Sequence, residues 1–218
     1  MTHMLHRTGT ISDLSEDFPI LAIRAKGYNE AGNLWRLKEI LEMAASRYSL
    51  ANFGDITTGT KFNSDLDQMM KSDKERPIVH MVFTNPEDVT RFLQDLKEAD
   101  LGVSVVASGL FQEIFQCCQK AGLKPHTVNY SAGIWGRKEI LPPDEIVEIG
   151  TMCGHSLVSA NLVKKMIGDI QRGKETCDSA AEELARQCVC GIFNPKRAAG
   201  ILHEICQFSI PKDPKGCV

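Results

Sequence analysis

Two short stretches in the last third of the chain carry the residues best suited to chemistry: Cys153-Gly154-His155 and Cys188-Val189-Cys190-Gly191. In each, two donor side chains are separated by a single residue, and a glycine follows a cysteine directly. The thiolate is the metal-binding form of cysteine, and soft thiolates favour zinc and iron–sulfur clusters. Glycine lets the backbone turn tightly and bring amide groups toward a metal or a sulfide. Both stretches are expected in loops at helix starts, where the partial positive charge of an N-terminus lowers a thiol pKa. The helical pair between them has the length of a hairpin that returns the chain to its starting point. The expected metal site is therefore Cys153, His155, Cys188 and Cys190.

Structural zinc sites generally space paired ligands by about two to four residues, and both pairs here are closer. An iron–sulfur cluster is accordingly the preferred group, with zinc as the alternative. His155 completes the site or tunes it from beside a ligand; if it is no ligand, Cys177 is the nearest spare thiol. The competing account is packing, because cysteine is among the most buried residue types and two pairs of buried thiols would look the same. Cys117-Cys118 falls inside a helical pattern, where adjacent positions point in different directions, and reads as packing. Cys206 continues a helical face and Cys217 sits in the tail; neither is a ligand candidate.

Other motifs are poorer. Thr57-Thr58-Gly59-Thr60-Lys61 has the composition of a phosphate loop but lacks its first glycine and its spacing, so a solvated loop is expected. Ser108-Gly109 is an ordinary strand-to-helix turn, of a kind that can also bind anions through free amides. His80 and His126 are isolated strand histidines, which are usually structural. Asp144 and Glu145 open a helix and complement its dipole. No G-x-S-x-G, H-E-x-x-H or dinucleotide fingerprint supports a hydrolase or nicotinamide enzyme.

The elements that must position the cysteines follow from hydrophobic period and punctuation. Strands are expected at residues 18–25, 78–83, 102–107 and 124–130, and helices at 34–48, 65–71, 87–99 and 110–121. Residues 52–64 read as a loop. Asn85 caps the helix that begins with Pro86, and Gly122 ends the one before it. This alternation predicts an α/β (or α+β) fold: a parallel or mixed sheet with covering helices. Pro142-Pro143 marks a boundary, giving an α/β domain over 1–140 and a helical metal- or cluster-binding region over 141–218. In the latter, helices are expected at 159–172, 176–187 and 195–206, the last capped by Asn194, before a fraying tail at 210–218.

Composition narrows the partners. A net charge of −3 over 218 residues offers no electrostatic footprint for nucleic acid, so a protein or a small molecule is expected instead. The N-terminal His3, His6 and Arg7 are followed by polar residues rather than an apolar run, unlike a secretory signal. No apolar stretch approaches the ~20 residues of a membrane span. Eight cysteines in such a chain suggest metal or redox chemistry in a reducing, cytoplasmic setting rather than a disulfide framework. The expected function is an iron–sulfur or other metal-binding protein with a redox or cofactor-handling role. The alternatives are an interaction or regulatory module pinned by structural zinc, and a metal-dependent enzyme.

Overall fold

A computed structural model describes residues 4, 5, 7–30 and 32–208. Five strands, β1 (Phe18–Ile23), β2 (Asn52–Asp55), β3 (Gly59–Thr60), β4 (Ile78–Phe83) and β5 (Ser104–Ala107), form one sheet in the order β3-β2-β4-β1-β5. Helix α2 (Leu34–Arg47) carries the chain from β1 to β2, and α4 (Pro86–Ala99) from β4 to β5. A helical crossover makes the strands it joins parallel, but it does not make them neighbours. Here β4 inserts between β1 and β2, and β1 between β4 and β5, the split βαβ arrangement. The α/β class stands, while every hydrogen-bonded neighbour pair is antiparallel rather than parallel or mixed.

The sheet is covered on both faces, which explains why β1 reads Phe-Pro-Ile-Leu-Ala-Ile without alternation. Phe18, Ile20 and Ala22 point to one side with Val79, Met81 and Phe83 of β4, against α2, α4 and α5 (Phe111–Lys120). Leu21 points to the other, and Ile23, Ile78 and Val106 pack against the same core. That core is closed by α6 (Asp144–Thr151), α7 (Ala160–Gln171), α8 (Cys177–Arg186) and α9 (Pro195–Phe208). The C-terminal helices are thus a second layer on the sheet that the N-terminal half builds.

Local punctuation works as the residues suggest. Asn85 accepts a hydrogen bond from the Asp88 amide with Pro86 in the first turn of α4, and Ser159 and Thr176 cap α7 and α8 in the same way. Asp65 caps the short α3 (Leu66–Lys71). Two expectations fail. Residues 52–64 are a hairpin of β2 and β3, not a loop. Its turn is held by the Asp55 carboxylate, which accepts from the amides of Thr57 and Thr58 and pairs with Arg76 at 3.1 Å, both side chains being fully buried. Those amides are already occupied, so the apparent phosphate loop is a structural turn.

The strand expected at 124–130 does not form. Residues 122–141 are exposed throughout and irregular apart from a 3-10 turn at Lys138–Ile140, with Val128, Tyr130, Trp135 and Ile140 on the surface. Strand propensity measures fit to a half-buried pleated surface, and none is offered to this stretch. The tail at 210–218, with Cys217, and also His3 and His6 lie outside the described residues. No helix among the described residues is long and apolar enough to cross a membrane.

Two outcomes are expected. Limited proteolysis should cut first within residues 122–141, and early cleavage inside β4 would contradict this layering. Arg76→Met leaves the Asp55 carboxylate buried without its counter-charge and should cost about 3–5 kcal/mol in urea unfolding, whereas the Asp55→Asn/Arg76→Met pair should recover part of that loss.

Candidate thiol centre

The first cysteine turn begins where α6 ends. The Cys153 amide donates to Gly150 O at 3.2 Å and the Ser156 amide to Cys153 O at 3.0 Å, with Ser156 in the left-handed region at φ 57°. This tight reversal sends Val158 back into the core before Ser159 opens α7. The second turn begins where α8 ends, with the Cys188 amide donating to Ala185 O at 3.0 Å. Gly191 then takes φ 80° and lies directly on β2: a Cβ there would sit 2.5 Å from the carbonyl carbon of Phe53 and 2.7 Å from the amide nitrogen of Gly54. Only glycine fits such a backbone-to-backbone contact.

These turns bring Cys153, Cys188 and Cys190 together in the core shared by α6 to α9. The Cys188 and Cys190 sulfurs are 3.8 Å apart, and Cys153 neighbours Cys188. The contact with Cys188, and burial with it, pushes the Cys153 thiol well above the ordinary range. Cys188 is pulled down by its contact with Cys153, but Cys190 and burial outweigh this and raise it. Cys190 is lowered, first by its contact with Cys188 and then by the Ile192 backbone and the Arg7 charge, despite burial. Of the three, Cys190 is the one biased toward thiolate.

The expected helix-start placement is not what favours that thiolate. Cys153 and Cys188 follow the C-terminal ends of α6 and α8, where the helix dipole disfavours negative charge. His155 lies on the first turn with its side chain exposed, while Cys177 is half-buried at the first position of α8, its thiol raised by burial. Among the described residues, no group of three or more His, Cys, Asp and Glu side chains is laid out as a ready metal site. Cys117 packs in the opposite core, its thiol donating to Pro86 O at 3.4 Å. His80 is buried on β4, in register with Leu21 and Gly54 and so on the face that carries the thiols. It is the one buried histidine among the described residues.

The sequence gives no warning of the charged cluster beneath the second turn. Asp17, fully buried just before β1, accepts from Arg7 Nε at 2.6 Å, Arg197 Nη1 at 3.2 Å and Asn194 Nδ2 at 3.1 Å. Arg7 also donates to Ile192 O, Arg197 to Thr8 O at 2.6 Å, and Asn52 of β2 to Phe193 O at 2.9 Å. The Asn194 carbonyl oxygen of the side chain caps α9 by accepting from the Arg197 amide at 3.1 Å, as its position before Pro195 suggests. The Arg7 guanidinium of this cluster lends Cys190 its positive charge, while Arg197 also faces the Glu148 carboxylate. These partners are separated by up to 189 positions, so no local pattern could have paired them.

Cys153 also lines a cavity of about 350 Å³ between α6 and the start of α7. Comparison with known proteins returns nothing: no family model, no curated protein and no solved structure matches the chain.

Asp17→Ala strands two buried guanidiniums and should destabilise the fold by about 3–5 kcal/mol. Hydrogen exchange should show the amides of residues 190–197 losing protection before those of β1 and β4. Uniform loss across the sheet would show that the cluster does not hold the turn locally.

Proposed function

We propose that the chain binds a soft metal centre through Cys153, Cys188 and Cys190, an iron–sulfur cluster in preference to zinc, in a redox or cofactor-handling role. The observation that carries this reading is that three buried thiols, from turns more than thirty positions apart, are neighbours in one apolar core, Cys188 lying 3.8 Å from Cys190 and beside Cys153. Chance burial of cysteines predicts no such meeting, and the second turn is pressed into place by Gly191. All three donors are soft, as both iron–sulfur clusters and zinc prefer, and the one-residue spacing of Cys188 and Cys190 is closer than the usual spacing of paired zinc ligands, which favours the cluster. The Arg7 guanidinium offsets part of the charge that thiolates would bring into the core. His155 belongs to the rim of this reading. It acts from beside Cys153, with the partner being a small molecule or another protein. The free thiols described throughout the chain accord with a reducing, cytoplasmic setting.

The experiment is iron, zinc and sulfide analysis of protein purified without oxygen, alongside its absorbance. A cluster gives iron and sulfide together with visible colour, and zinc gives neither. Cys153→Ser, Cys188→Ser and Cys190→Ser should each lower bound metal at least tenfold, because a hydroxyl is a poor substitute for a soft thiolate. Cys117→Ser should leave it unchanged, and His155→Ala should shift the reduction potential with metal content retained. Full metal content in all three single variants, or none in the parent protein, would return these cysteines to packing.

A further inference from the structure

The cavity beside α6 reaches the thiol centre at Cys153. Of the three cysteines Cys153 lines it, itself 2% exposed, while Cys188 and Cys190, with 1% exposure or less, do not. One wall is the inner side of α6 at Ile146 and Gly150, and the other is Val158 and Ala160 at the start of α7. Gly150 keeps the wall thin: a Cβ there would meet only the Val158 carbonyl oxygen at 3.6 Å, so the space beyond it is empty. At about 350 Å³ the cavity has the size of a small-ligand site rather than of a packing defect.

Its chemistry is selective. No charged side chain is among the described residues that line it; the polar groups are Thr151, Ser156 and the Cys153 thiol itself. No lining side chain offers a counter-charge to an ion, whereas a neutral molecule needs none. Ser156 is held at φ 57°, a conformation uncommon for a residue with a Cβ, by the turn that places Cys153 at the cavity floor.

We infer that this cavity is a binding site for a small uncharged molecule of mostly apolar surface, which meets the thiol centre at Cys153. The identity of the centre as a metal site rests on the reading above; the cavity and the ligand class do not. The molecule enters past Pro142, lies along α6 and presents its polar end to Thr151 and Ser156. Charge exclusion by the walls makes the site discriminate neutral compounds from anions of the same shape.

Benzyl alcohol and benzoate, matched in size and differing in charge, are the probes. Each is titrated into the full-length protein as purified without oxygen, with methyl NMR signals of Ile146, Val147 and Val158 followed. Benzyl alcohol should shift these signals saturably, and benzoate should bind at least tenfold more weakly. Ala160→Phe should fill the cavity and abolish the shifts, and Thr151→Leu should weaken them. Unchanged amide signals away from the cavity report that the variants are folded. Absence of saturable shifts, equal binding of benzoate, or an unaltered titration in Ala160→Phe would each overturn the inference. Metal analysis is independent of all three: a protein without metal that passes them keeps its ligand site, and one with metal that fails them loses it.

Discussion

A buried carboxylate holds this molecule's functional end together. Asp17 has no exposure to solvent and takes hydrogen bonds from Arg7, Arg197 and Asn194, so the approach to β1, the N-terminal segment and the first turn of α9 meet on one side chain. Taking ions out of water costs several kcal/mol each, and only a nearly complete set of partners offsets it. That requirement makes the cluster unforgiving: it forms with all its members or not at all. The segment Ile192 to Asn194, which follows the second cysteine turn, is fastened through it to the sheet, with Asn52 adding a bond from β2.

The acidity of the thiols depends on this arrangement. Helix ends would have been the usual source of positive potential, yet Cys153 and Cys188 sit at the wrong ends of α6 and α8 for that. The bias toward thiolate at Cys190 comes instead from the neighbouring Cys188 thiol, an amide and a guanidinium recruited from the chain's beginning. Cys153, which lines the cavity, has its protonated form favoured.

The two faces of the sheet divide the labour. One is packed with Phe18, Phe83 and Phe92 and the helices of the crossovers, a core with no chemistry exposed to it. The other carries cysteines, His80 and the turns. Because Gly191 touches the β2 backbone directly, the position of the cysteines is set by the sheet rather than by α8 and α9 alone. The long exposed connection over residues 122–141 is the chain's passage from the helices of one face to those of the other, which accounts for its length without a strand inside it.

Much of this was legible from residues alone wherever a signal is local. Caps at Asn85 and Asn194, the helices they open, the helices beginning near Ser159 and Thr176, and β1, β4 and β5 follow from period and punctuation, since both are decided within a few positions. The pairing of the two cysteine turns was also readable, because glycine and the intervening helical pair suggest a return of the chain. Tertiary structure decided the rest. It ordered the sheet antiparallel, turned residues 52–64 into a hairpin through a buried ion pair with Arg76, and left 124–130 without a neighbour to pair with. It exposed His155, buried His80 on the thiol face, and set Arg7 beside Cys190. Each of these depends on contacts between residues tens to nearly two hundred positions apart, whose energies arise only when burial removes water from between them, and no local pattern in the chain records that.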